Sequence, residues 1–185
     1  TQILYEFFKY SKVDISRQLA NCILTGIITD SGNFAYTATN PYTFKVASEM
    51  VINGANIRNI LTSTAKNKNL ATLKAWGFAL SNLRYNPNYD IAYTVLTRKN
   101  LADFGVNKQD LEGLASFLNN LKDAKIVLVL YELGDGRVKG SLRTNKDDVD
   151  VCVLAQVFGG GGHKKAAGFE VEGRLKQTVS GWRIE

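Results

Sequence analysis

A chain of 185 residues, 45 % hydrophobic and 22 % charged, can bury a real core, as one large domain or two small ones, and lies outside the disordered class. Its formal net charge of +6, from 23 Lys and Arg against 17 Asp and Glu, favours polyanionic partners such as nucleotides or nucleic acid. The basic residues are spread along the chain without a basic block, so a solvated surface accounts for most of them.

No stretch approaches the ~20 uninterrupted apolar residues of a membrane helix; the longest apolar run, IVLVLY at 126–131, is of strand length. TQILYEFFKYSK lacks the pattern of a signal peptide, and a first residue other than methionine leads us to expect a piece of a longer chain. Cys22 and Cys152 lie far apart in apolar helical patterns, outside any metal-binding spacing, and are expected to be reduced core thiols.

The first 80 residues read as helical. Ile15, Leu19, Cys22, Ile23 and Ile27 recur at helical spacing, with Asp14 as the expected N-cap. TDSGNFAY stops that helix. Asn40 and Pro41 open a second one, which carries Phe44, Val46, Ala47, Met50 and Val51 to Asn53-Gly54. A third helical stretch runs from about 57 to 83, with a break expected around Asn67–Asn69. RYNPNYD at 84–90 is the best candidate boundary, because Asn, Pro and Asn punctuate it.

Beyond it the texture changes. IAYTVLT (91–97) alternates with period two, a half-buried strand. A helical region follows, then the buried strand IVLVLY, a turn at Gly134–Gly136, and RVKGSLRT as its hairpin partner. Asp147 or Asp148 is expected to cap a helix with Val151, Leu154, Ala155 and Phe158 on its apolar face. The exit is FGGGGHKKAAGF (158–169), and GFEVEG reads as a further short strand. The fold class is therefore α/β with α+β character, a helical piece preceding an α/β piece.

Three motifs bear on chemistry. Four adjacent glycines, 159–162, let backbone N–H groups approach a ligand and form an anion nest, beside the chain's single histidine, His163, and two lysines. The run is neither a P-loop nor a dinucleotide fingerprint, and a floppy connecting loop is the plain alternative. Arg143, near the end of a strand 20 residues earlier, offers a planar fork for phosphate, although alone it is an ordinary strand arginine. Asp30 ends an apolar helix, where the helix dipole prefers a cation. It is either a turn residue or a carboxylate made useful by a divalent metal.

GSLRT followed by FGGGGHKKAAGF resembles the signature of the domain associated with DHH phosphoesterases, and GIITDSGNF resembles the last acidic motif of the DHH domain itself, Asp-[Thr/Ser]-Gly-x-Phe. Both motifs stand in the family's order, most like the bacterial oligoribonuclease/pAp-phosphatase subgroup related to RecJ (pAp being 3′-phosphoadenosine 5′-phosphate). The resemblance covers essentially the whole chain but not the whole family. The N-terminal α/β half that carries the Asp-His-His motif has no counterpart here, and Thr144 stands where serine is frequent.

The resemblance implies residues 1–66 as the end of the catalytic domain, 67–88 as a helical linker, and 89–185 as a smaller mixed-sheet substrate-binding domain. It implies a two-manganese phosphoesterase acting on short oligoribonucleotides or pAp, cytoplasmic and with room for a homodimer. Asp30 would be a metal ligand, while Arg143, Gly160, Gly161, Gly162 and His163 would bind substrate phosphate. With one metal ligand, this chain alone is expected to be inactive. A non-catalytic nucleic-acid-binding module, a cyclic dinucleotide phosphodiesterase and a polyphosphate or pyrophosphate hydrolase are the alternatives.

Overall fold

The structure, a computed structural model, describes residues 1–36, 39–65, 68–179 and 181–185. The chain divides into two compact units, Thr1–Asn67 and Lys68–Glu185.

The first unit is helical among its described residues: α1 (Gln2–Tyr10), α2 (Arg17–Asp30), α3 (Pro41–Ile52) and α4 (Ile57–Ala65). Leu24, Ile28, Val46 and Met50 are fully buried in its core, as the helical period requires. The expected cap at Asp14 is corrected to Ser16, whose extended backbone lets Oγ accept the Leu19 N–H at 3.3 Å. In α3, Asn40 and Thr43 form a reciprocal capping box around Pro41. Cys22 sits one residue off the buried stripe of α2 and is exposed, not in the core. The break expected near Asn67–Asn69 falls between α4 and the next helix; Lys66 and Asn67 lie outside the described residues.

The second unit comprises α5 (Leu70–Ser81), β1 (Arg84–Asn86), β2 (Ile91–Leu96), α6 (Arg98–Phe104), α7 (Leu114–Leu118), β3 (Ile126–Glu132), β4 (Arg137–Arg143), α8 (Val151–Val157), β5 (Gly161–His163), β6 (Ala166–Glu172), β7 (Leu175–Thr178) and β8 (Gly181–Ile184). Six strands form one mixed sheet in the order β1-β2-β3-β4-β6-β5, with only β2 and β3 parallel, and β7 and β8 form a separate hairpin. The stretch 84–90, expected to be a boundary, is instead a hairpin joining β1 to β2. Its Asn and Pro residues make a tight turn, and the same residue types would punctuate a linker. The α5 helix belongs to this unit, with Ala79 buried against β2.

Period-two patterning gives the sheet two covered faces. Val127, Val129 and Tyr131 of β3 pack with Leu114, Ala115 and Leu118 on the α7 face. On the opposite face Leu142, Ala167 and Phe169 pack with Val151 and Ala155 of α8, while the β7–β8 hairpin covers Val95 and Val138. The helical region after β2 is cut short by Gly105 and Gly113, both left-handed. The cap of α8 is Asp150 and not Asp147 or Asp148: its Oδ1 accepts the Cys152 N–H at 2.9 Å, whereas Asp147 binds Lys165 at 2.7 Å.

Candidate phosphate-binding cleft

The glycine run has more structure than a loop. Gly159, with φ +71°, terminates α8; its N–H donates to the Gln156 carbonyl at 3.0 Å, and the Gly160 N–H donates to the Ala155 carbonyl at 2.9 Å. That is the double bond of a Schellman cap. The Gly160 N–H is thereby engaged inside the fold, so in this arrangement it is not a phosphate donor. A Cβ on Gly160 would lie 2.2 Å from the Gly168 carbonyl oxygen, and one on Gly162 would lie 2.5 Å from that of Ala166. Both positions demand glycine because β5 runs hard against β6. Gly161 differs, since a Cβ there would meet nothing within 4 Å.

Beside this strand, on the α7 face of the sheet, is a cleft of ≈ 410 Å³. Its floor is built from β3, β4 and β6, its far rim is Gly161, and one wall is the turn and helix at Leu111–Ser116. The floor is open because Ala166 and Gly168 carry almost no side chain there. Arg143 lies within it; its guanidinium donates to the Leu142 carbonyl at 2.8 Å, and its Nε is 3.4 Å from Ser116 Oγ. Arg143 pairs with Ala166, and Ala166 pairs with His163. Directly opposed residues point to one face, so Arg143 and His163 share it, about 10 Å apart across two strand spacings.

Of the residues expected to bind phosphate, the structure places Arg143 and Gly161 on the cleft. His163 stands exposed at the β5 edge and does not line it, and neither do Gly160 and Gly162. Of the two lysines after His163, Lys165 is committed elsewhere, its ammonium bound to Asp147 and to the Lys146 carbonyl. Thr144 is buried, donating to the Lys125 carbonyl at 2.6 Å and fixing the exit of β4.

Lys139, Ser141 and Tyr131 also line the cleft, and none was singled out from the sequence. The alternation of RVKGSLR carried the signal for two of them, because Lys139 and Ser141 share a face with Arg143. Lys139 Nζ is 3.6 Å from Glu170, which leaves a cation at the cleft partly offset. Burial, reinforced by the charges of Glu170 and Glu112, raises the Tyr131 hydroxyl above its ordinary value, so it is a neutral donor at physiological pH.

Asp30 belongs to the first unit. It ends α2, exposed, and its carboxylate accepts the Thr1 hydroxyl at 2.6 Å. Among the described residues no three His, Cys, Asp or Glu side chains cluster as a metal would require. The donors present therefore do not make up a manganese site. No helix among the described residues is long and apolar enough to cross a membrane.

The DHHA1 domain family matches residues 88–180. Along 160 residues the chain is 32 % identical to the uncharacterized protein MG371 homolog of Mycoplasma pneumoniae, covering 86 % of this chain and 47 % of that protein. It is 25 % identical to the bifunctional oligoribonuclease and PAP phosphatase NrnA of Thermus thermophilus, over 93 % of this chain and 51 % of that one. A solved structure, an exopolyphosphatase-related protein from Bacteroides fragilis, superposes with a TM-score of 0.86 at 28 % identity, covering 93 % of this chain and 51 % of the other. The chain thus spans about half the length of these relatives.

Proposed function

Because the chain belongs to the DHHA1 domain family over residues 88–180, we propose that its second unit is the substrate-gripping part of a phosphoesterase. The substrates would be short oligoribonucleotides or 3′-phosphoadenosine 5′-phosphate. The carrying observation is the cleft itself, where a guanidinium, a lysine and an open glycine edge meet over a floor left open at Ala166 and Gly168. In this reading Arg143 takes a phosphate oxygen pair, the Gly161 backbone approaches a second oxygen, and His163 closes over the rim. The small floor admits a ribose or base, and Tyr131 donates a neutral hydrogen bond. The 25 % identity to an oligoribonuclease and PAP phosphatase supports this choice of substrate, and a cytoplasmic setting goes with it.

Titrating pAp into the full-length protein by calorimetry tests the assignment. Arg143→Ala is expected to weaken binding about ten- to hundredfold, the loss of a charge-assisted contact. Unchanged affinity would remove Arg143 from the site.

Asp30 is proposed as one carboxylate of a divalent-metal site, manganese for preference, whose other ligands come from outside this chain. Adding the chain to manganese(II) is then expected to leave the electron paramagnetic resonance signal of the free ion unchanged. Loss of that signal at equimolar chain would show that this chain completes a site by itself and would overturn the placing of the other ligands outside it. A second reading, a nucleic-acid-binding module without catalysis of its own, is favoured by another similarity. The chain is 26 % identical over 97 % of its length to the A-adding tRNA nucleotidyltransferase of Aquifex aeolicus, of which it covers 22 %. Binding that strengthens with RNA length and falls steeply with salt would select it.

A further inference from the structure

The opposite face of the same sheet carries a second concavity, of ≈ 270 Å³, with Phe78, Arg84, Tyr93, Gln177 and Trp182 among its lining residues. Its position follows from the strand registers. Tyr93 pairs with Leu128 and Val95 with Leu130, so they lie on the face that Val129 and Tyr131, in the cleft, do not share. Arg84 pairs directly with Tyr93 across the β1–β2 hairpin, which sets a guanidinium beside a phenol ring on one face. Trp182 of β8 closes the concavity from the hairpin side.

The chemistry of the lining is specific. Phe78, Tyr93 and Trp182 all line the concavity, Phe78 with its ring 5.6 Å from that of Phe104, and Tyr93 and Trp182 packed on Val95, Val138 and Leu175. None of Arg84, Gln177, Trp182 and Tyr93 has a side-chain hydrogen bond, ion pair or ring partner among the described residues. Asn82 and Asn100 also line it, but the Asn82 amide donates to the Phe78 carbonyl at 2.9 Å and the Asn100 Oδ1 accepts from Thr97, so Gln177 supplies the uncommitted side-chain amide. Aromatic faces with an amide beside them suit a planar heterocycle that also needs an edge hydrogen bond. An arginine beside them suits a phosphate. A purely structural hydrophobic contact would call for neither the guanidinium of Arg84 nor the amide of Gln177.

We propose that this concavity is a second nucleotide-binding site, holding one base against Trp182 and Tyr93 with its phosphate on Arg84. It stands apart from the cleft and does not rest on the function proposed for it. Its occupant is a single nucleotide, either free or as one residue of a single strand passing over the domain.

The full-length protein, titrated with 5′-AMP and separately with a short single-stranded oligoadenylate, is followed by calorimetry and by tryptophan fluorescence. Two classes of site are expected. Arg84→Ala, at an exposed position, and Trp182→Leu should each weaken one class about 5- to 150-fold, the effect of losing a stacking or phosphate contact. Arg143→Ala should spare that class. Fluorescence quenching by 5′-AMP identifies a free nucleotide as the ligand, and quenching by the oligoadenylate alone identifies a strand. A single class of site, insensitive to Arg84→Ala and Trp182→Leu in protein with an unchanged melting temperature, would overturn the proposal.

Discussion

At the residue scale the four glycines separate into distinct jobs. Gly159 ends a helix, Gly160 and Gly162 permit a close strand approach, and Gly161 faces the cleft. Gly160→Ala would press a methyl against a carbonyl and the Phe169 backbone, neither of which can swing away. It is expected to cost about 1–3 kcal/mol or more in urea denaturation, whereas Gly161→Ala should stay within about 1 kcal/mol. Equal costs at the two positions would contradict this division of roles. The glycine string was conspicuous in the sequence, but its division was not. Which N–H is spent on a helix cap depends on where α8 stops, and that is set by packing of Val151 and Ala155.

At the element scale α1 is fastened to α3 by the Tyr5 hydroxyl, which donates to Glu49 at 2.6 Å, with Lys9 binding the same carboxylate at 3.0 Å. Burial, then the bond to Glu49, pushes Tyr5 up to about 12, while the bonds from Tyr5 and Lys9 hold Glu49 below its ordinary value. Tyrosine's raised value means its stabilisation is complete below the unfolded value near 10 and is lost as pH rises through about 12. For Glu49, lowered in the fold, stabilisation is present above the unfolded value of about 4.3 and is lost as pH falls through the folded one. Tyr5→Phe is expected to cost about 1 kcal/mol near pH 7 and to flatten the alkaline arm of stability between about pH 10 and 12. Chemical denaturation across that range checks it, and an alkaline arm that persists in the variant would show that other groups cause it. The helix of Ile15–Ile27 and the α3 start at Asn40-Pro41 were legible as local signals. The α1–α3 clamp joins residues 44 positions apart, and no local pattern announces it.

At the scale of the whole molecule, the second unit owns a complete set of buried clusters on both faces of its sheet. Residues 68–185 expressed alone are therefore expected to fold cooperatively, as seen by thermal unfolding in circular dichroism. A broad, featureless melt would show that the core needs more chain. The amino-acid order was enough to indicate an α/β chain, the strands β2, β3, β4 and β6, and the family resemblance of the Asp30, Arg143 and His163 motifs, because these rest on short-range periodicity and string identity. Which residues meet in the cleft came from strand order and register. Pairing Arg143 with Ala166 and Ala166 with His163 sets one row on one face, and a slip of a single residue would turn all of it to the other side. The hairpin at 84–90 makes the same point from the opposite direction. Its turn residues read equally well as a linker, and only the pairing of Arg84 with Tyr93 distinguishes the two, because turn chemistry is local whereas strand pairing is a contact made by the folded chain.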